Sequence, residues 1–110
     1  MSQITTSVLD AALGRPAAGV TVALQWLTPD GWTAVGKGET DGTGRAGELG
    51  PATVEPGVYR LTFATGDYFA ANGRDSFYPE VTIVFQVTGP DPLHVPLLLS
   101  PFGYSTHRDG

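Results

Sequence analysis

Apolar and polar residues alternate in short runs along most of the chain, which is the pattern of strands that bury one face. Turn signals between the runs include Pro29-Asp30-Gly31 and Gly89-Pro90-Asp91-Pro92. Many short alternating runs separated by turns predict an all-β, two-sheet sandwich of seven to eight short strands. The clearest runs cover residues 4–10, 20–26, 32–39, 58–64, 81–88 and 93–99.

Three segments depart from the alternation. Residues 66–73 include Tyr68, Phe69 and two alanines without a clear period of two, and we predict a short helix there. Residues 11–19 and 40–50 are rich in glycine, and both are predicted to be loops.

The last long run places its leucines on both faces. Leu97 and Leu99 share one face with the predicted core, whereas His94 and Leu98 lie on the opposite face. An outward-facing leucine in an apolar run is best covered by another subunit. A chain of 110 residues has a small core and gains stability from burying further surface in this way. We therefore predict an oligomer.

Composition narrows the possible functions. The length suits one domain over residues 1–110, and 41% hydrophobic residues are enough for one core. The net charge of −5 without a basic cluster argues against binding to nucleic acid or anionic membranes. The absence of cysteine excludes disulfides and thiolate metal sites. The start of the chain lacks the features of a signal peptide, and no run is long enough to span a membrane, so a cytoplasmic protein is expected.

Three blocks of sequence carry a family resemblance. The first is TTSVLD at residues 5–10 followed by GRPA at 14–17, and the second is TDGTGR at 40–45. The third combines FYPEV at 77–81 with HVPLLLSPFGYST at 94–106, and it is highly specific. In this order and spacing, the blocks resemble the 5-hydroxyisourate hydrolase/transthyretin family over nearly the whole chain.

The resemblance implies a transthyretin-like fold, a homotetramer and a reaction. Enzymes of this family add water across a cyclic amide carbonyl of 5-hydroxyisourate, a product of urate oxidation, and need no metal or cofactor. Such a reaction requires a group that activates water and a cation or donor beside the developing oxyanion. The family places these groups in a channel between dimers, and we expect the ligand to be a small, cyclic and anionic molecule.

Three of the family's functional residues are present here. The loop arginine corresponds to Arg45, the late-strand histidine to His94 and the tail arginine to Arg108. The resemblance implies that His94 and Arg45 take part in catalysis and that Arg45 and Arg108 bind substrate. Without the family, Arg45 would be read as a solvated loop residue, His94 as a surface histidine and Arg108 as part of a frayed end.

Other positions differ from the family's pattern. Ser7 stands where the family has a histidine, and His107 stands where it has a tyrosine. Asp109 and Gly110 replace Gly-Ser, and Thr43 replaces an aspartate. We predict that Ser7 and His107 belong to the altered catalytic site. Serine is no general base near neutral pH, whereas imidazole titrates near pH 6.5, so Ser7 predicts weakened hydrolysis that Ser7→His should restore.

Three functions remain open at this point. The chain is a hydroxyisourate hydrolase with a variant site, a repurposed relative acting on another small cyclic substrate, for example in secondary metabolism, or a non-catalytic ligand-binding tetramer. The retained Arg45, His94 and Arg108 favour the two enzyme readings. The carboxylates of Asp10, Asp41 and Glu80 are predicted to hold turns and strand ends rather than to act in catalysis.

Overall fold

The computed structural model describes residues 2–109, so the termini of the predicted 1–110 domain, Met1 and Gly110, lie outside the described residues. Within this range the chain forms strands and one short helix, listed here in order: β1 Ile4–Asp10, β2 Arg15–Pro16, β3 Thr21–Thr28, β4 Gly31–Glu39, β5 Arg45–Ala46, β6 Gly57–Phe63, α1 Thr65–Ala71, β7 Val81–Val87, β8 Leu93–Ser100 and β9 Gly103–Thr106.

The strands form two sheets. The first sheet has the order β2-β1-β8-β9, with β5 also paired to β1, and the second has the order β4-β3-β6-β7. Strands β1 and β8 run parallel, while the other pairs are antiparallel. The predicted two-sheet sandwich with one short helix is therefore confirmed.

The core lies between the sheets and follows the period of two seen in the sequence. Alternate side chains of each long strand point inward and are almost fully buried, because successive residues of a strand face opposite sides. The largest fully buried side chains are Tyr59, Phe63, Phe69, Ile4, Leu24, Leu49, Leu61, Leu97, Leu99, Val8, Val20 and Val22. Burial of this apolar set is the main force that holds the two sheets together.

Helix α1 is anchored by side chains rather than by strong helix signals. It has no side-chain cap at its N-terminus, and Tyr68 and Phe69 are its large buried residues. The Tyr68 hydroxyl donates a hydrogen bond to Asp10 at the end of β1 (2.8 Å), and Arg74 Nη1 donates to the same oxygen (2.7 Å). Asp10 thus has the predicted strand-end role and ties α1 to the first sheet.

The two segments predicted as loops each contain a two-residue strand. Pro16 of β2 lies opposite Leu9, and Arg45 of β5 lies opposite Ser7, so both strands pair with β1. A strand of two residues is too short to show a period of two, and the four residues of β9 are also too few. No helix of the described residues is long and apolar enough to cross a membrane.

Candidate functional site

Three predicted site residues meet on the outer face of the first sheet. Strand β1 carries Ser7, whose half-buried side chain faces away from the core, and β8 carries His94 with the same orientation. Arg45 of β5 lies directly opposite Ser7 in the antiparallel β1–β5 pair. Side chains of directly opposed residues share a face, so the sheet register alone brings Arg45 beside Ser7.

The imidazole of His94 is held at both ring nitrogens. Ser7 Oγ lies 2.9 Å from His94 Nε2, and Thr5 Oγ1 lies 2.8 Å from His94 Nδ1. Thr5 and Ser7 are separated by one residue of β1, which puts both hydroxyls on the same face. The parallel register sets Thr5 beside His94, so the ring sits between the two hydroxyls.

Arg45 is positioned by the tight loop before it. Gly44 has a φ of +80°, and a Cβ at this position would approach the Val8 carbonyl oxygen to 2.6 Å, so only glycine lets the loop come this close to β1. Asp41 Oδ1 accepts hydrogen bonds from the Thr43 amide (2.8 Å), the Thr43 hydroxyl (2.6 Å) and the Arg45 amide (3.2 Å). These bonds lower the pKa of the Asp41 carboxyl, the Thr43 hydroxyl contributing most. Asp41 therefore organises the loop, as predicted.

Residues 107–109, the tail that follows β9, continue antiparallel to β8, and their side chains alternate between the two faces of the sheet. The β8–β9 register pairs Leu97 with Thr106, and the isolated bridge pairs His94 with Asp109 in the same register. His107 therefore lies opposite Pro96, and Asp109 lies opposite His94 on the outer face. Neighbouring strands are about 4.8 Å apart, which leaves the backbone of His107 roughly 10 Å from the backbone of Ser7 in the same chain.

Arg108 lies between His107 and Asp109 in the chain, so its side chain points to the other face of the sheet. It falls opposite Val95, whose side chain is buried in the core, so it lies on the inner side of the sheet edge. Here it lines a groove of about 470 Å³ between the edges of the two sheets. The groove is formed by β7, the turn that follows it and residues 106–108, and it includes Ile83, Phe85, Val87, Leu93, Thr106 and His107. Within one chain, Arg108 is therefore not brought to Ser7 and His94.

The charge state of His94 suits proton transfer. Burial is the main cause that lowers the pKa of His94 below its ordinary value of 6.5, and the positive charge of Arg45 lowers it further. The carboxylate of Asp109 acts in the opposite direction. His94 is therefore neutral at pH 7, and one ring nitrogen can accept a proton.

Sequence reasoning missed Thr5, although its spacing from Ser7 on a predicted strand was the available signal. It also missed that Asp109 pairs with His94 through the backbone, its amide donating to the His94 carbonyl oxygen (3.3 Å). Among residues 2–109 no group of three or more histidine and carboxylate side chains is arranged to hold a metal ion. On the outer face, His94 can offer a base to a ligand, Thr5 and Ser7 two hydroxyls, and Arg45 a cation.

Comparison with known proteins gives one consistent result. Residues 4–109 match the HIUase/Transthyretin family. The chain is 42% identical over 107 residues to the 5-hydroxyisourate hydrolase of Salmonella dublin, covering 96% of this chain and 79% of that protein.

Two solved structures share the fold. The 5-hydroxyisourate hydrolase of Klebsiella pneumoniae is 36% identical with a TM-score of 0.85, covering 100% of this chain and 94% of that one. Sea bream transthyretin in complex with thyroxine is 34% identical with a TM-score of 0.91, covering 97% of this chain and 94% of that one.

Proposed function

Because this chain belongs to the HIUase/transthyretin family, we propose that it is a hydrolase that opens the ring of 5-hydroxyisourate or of a closely related cyclic amide. The observation that carries the proposal is the contact of His94 with Ser7 beside Arg45 on one face of the first sheet. The relatives named as 5-hydroxyisourate hydrolases, in Salmonella dublin and Klebsiella pneumoniae, support the choice of substrate.

The proposed chemistry assigns one task to each group. Neutral His94 accepts the proton that is lost as the carbonyl carbon is attacked, and returns it to the ring nitrogen that leaves. Arg45 stabilises the negative charge that develops on the carbonyl oxygen. His107 and Arg108 stay predicted contributors from the tail, and Arg108 would need a rearranged tail or a neighbouring subunit to reach the substrate.

We further propose a homotetramer in which edge strands pair into dimers and the dimers join through the outer faces of their first sheets. Leu9 and Leu98 are directly opposed in the β1–β8 register on this outer face, and Leu9 is 40% exposed in a single chain. Exposed apolar side chains of this kind favour a covered interface. Joining two such faces would enclose the site in a channel. The cytoplasmic location stays a prediction.

A second candidate is a binding protein without catalysis. The substitution of Ser7 for a histidine favours it, and the sea bream transthyretin structure with thyroxine is an example of a related chain that holds a small molecule. The two candidates differ in what His94 does: a hydrolase requires it as a base, whereas a carrier requires only its shape and polarity.

The test is the decay of freshly prepared 5-hydroxyisourate, followed by ultraviolet absorbance against the spontaneous rate. We expect wild type to accelerate the decay, though less than the Salmonella dublin enzyme. His94→Ala should lower the rate by about 10²–10⁴-fold, and Arg45→Ala by about 10²–10³-fold. Lys37→Ala, which removes an exposed charge from β4 in the second sheet, is the control and should keep the wild-type rate. A wild-type rate equal to the spontaneous one would favour the binding protein.

A further inference from the structure

The hydroxyl of Ser7 is placed as a nucleophile would be. Its oxygen lies 2.9 Å from His94 Nε2, which is hydrogen-bonding distance for a hydroxyl and the base that deprotonates it. We propose that Ser7 attacks the substrate carbonyl and carries the acyl group as an ester during turnover. This inference rests on the proposed hydrolase function and replaces direct attack by water.

Thr5 can accept a hydrogen bond from the imidazole, and the step requires the tautomer in which it does so. If the Nδ1–H of His94 donates to Thr5 Oγ1 (2.8 Å), then Nε2 carries the lone pair that accepts the Ser7 proton. Thr5 thus takes the position of the third group that orients a histidine base. A neutral hydroxyl stabilises the resulting imidazolium less than a carboxylate does, although Asp109 lies on the same face opposite His94.

Arg45 is the cation nearest to the reacting atoms by sheet register. Directly opposed residues of an antiparallel pair have Cβ atoms about 4.5–5.5 Å apart, so the base of the Arg45 side chain lies beside Ser7. Its long side chain is exposed and can turn toward the oxygen of a carbonyl that Ser7 attacks. A guanidinium in this position stabilises the oxyanion of the tetrahedral intermediate.

The steps balance without any further reactant except water. The Ser7 oxygen bonds to the carbonyl carbon while its proton passes to His94 Nε2. The ring C–N bond then breaks, the nitrogen takes the proton from His94, and an acyl ester remains on Ser7. His94 next removes a proton from water, the hydroxide adds to the ester carbonyl, and Ser7 leaves as the alcohol with the proton returned by His94. One water is consumed, and nothing is oxidised or reduced.

The substrate class follows from this chemistry. An acyl-transfer site of this kind accepts a strained or electron-poor cyclic amide, and it should also accept a small activated ester because both present an electrophilic carbonyl. Acetyl transfer from p-nitrophenyl acetate to Ser7 is therefore a probe that does not depend on the identity of the natural substrate.

The test combines rates with direct detection of the intermediate. Wild type, Ser7→Ala and Ser7→Cys are mixed with p-nitrophenyl acetate or with 5-hydroxyisourate, quenched in acid and analysed by intact-mass and peptide mass spectrometry. We expect an acyl adduct on the peptide that contains Ser7, a thioester in Ser7→Cys, and none in Ser7→Ala. Ser7→Ala should also lose at least about 100-fold in the rate of 5-hydroxyisourate hydrolysis. Circular dichroism checks that each variant is folded.

Thr33→Ala is the control, because Thr33 is an exposed hydroxyl-bearing residue of β4 in the second sheet, whereas Ser7 and His94 lie on the first sheet. It should keep both the adduct and the rate. A Ser7→Ala variant that hydrolyses 5-hydroxyisourate at the wild-type rate would overturn the nucleophile and leave the hydrolase function standing. A rate increase in Ser7→His would also overturn the nucleophile, because this result is expected if the site only lacks a histidine that activates water.

The remaining outcomes are also decisive. Loss of hydrolysis in Ser7→Ala with no adduct on wild type would mean that Ser7 only positions His94, and it would overturn the inference. An adduct on Ser7 from the ester, without hydrolysis of 5-hydroxyisourate, would support the nucleophile and refute the proposed substrate. The absence of both adduct and hydrolysis would refute both proposals.

Discussion

Asp10 is the buried carboxylate that ties the end of β1 to α1, and replacing it by asparagine measures how much this tie contributes to stability. Its side chain is fully buried and accepts four hydrogen bonds. Oδ2 receives the Tyr68 hydroxyl and Arg74 Nη1, while Oδ1 receives the Leu13 amide (3.1 Å) and Arg74 Nη2 (3.3 Å). In Asp10→Asn, one of these oxygens becomes an NH₂ group, so one Arg74 nitrogen faces another donor in either orientation, and the negative charge that pairs with the guanidinium is lost.

The expected loss follows from the contacts. Hydrogen bonds to a charged group contribute about 1.5–3 kcal/mol each, and breaking a buried pair costs about 3–5 kcal/mol. The Arg74 side chain is 22% exposed and recovers part of its interaction from water. We therefore expect Asp10→Asn to lower the free energy of unfolding by about 3 kcal/mol, which is a large part of the stability of a small domain. Urea unfolding measures this loss, and the chain concentration is kept fixed because the proposed assembly would also add to the apparent stability.

The pH dependence provides a second reading of the same network. Burial alone would raise the pKa of Asp10, but the hydrogen bonds from Arg74, Tyr68 and the Leu13 amide, with the charge of Arg74, lower it below 3.8. A carboxyl with a lowered folded-state pKa stabilises the fold above its unfolded pKa and loses this effect as pH falls through the folded value. The difference in the free energy of unfolding between wild type and Asp10→Asn should have its full size at pH 7 and should become smaller below about pH 3.8.

The control is Asp75→Asn, because Asp75 is exposed and its change should alter stability by less than about 0.5 kcal/mol. A loss below about 1 kcal/mol in Asp10→Asn, or a loss equal to that of the control, would show that the network does not hold α1 against the first sheet in the way described. A difference that stays constant down to pH 2 would show that the charge of Asp10 does not contribute.

Three further predictions follow from other contacts. Arg45→Ala should raise the pKa of His94, because the positive charge that lowers it is removed; proton NMR titration detects this, and an unchanged value would place Arg45 too far away to act. Gly36→Ala should lower the free energy of unfolding in urea by about 2–3 kcal/mol, since its Cβ would lie 1.7 Å from a backbone carbonyl oxygen of the facing loop. Gly42→Ala is the control, because a Cβ there meets open space, and its free energy of unfolding should stay within about 0.5 kcal/mol of wild type. If the proposed tetramer forms, Leu98→Asp should lower the molar mass measured by light scattering, and an unchanged mass would show that the outer face is not part of the interface.

Much of this protein could be predicted from its sequence because the relevant signals are local. Alternation with a period of two marks which side of each long strand is buried, and by itself it assigned Leu97 to the core and His94 to the outward face. The specific blocks of residues also identified the family, and the short helix followed from the loss of alternation.

Other features depend on which segments pair, and no local pattern encodes this. The two-residue strand β5 exists only because it pairs with β1, and that pairing sets Arg45 beside Ser7. Ser7 and His94 meet across 87 positions of the chain because β1 and β8 run parallel in one register, and the same register brings in Thr5. The sequence indicated only that Ser7 stands where the family has a histidine base. The pairing of β1 with β8 decided that the Ser7 hydroxyl lies within hydrogen-bonding distance of another base, His94. The physical reason is that the partners of a strand side chain are set by the neighbouring strand and not by its neighbours in the chain.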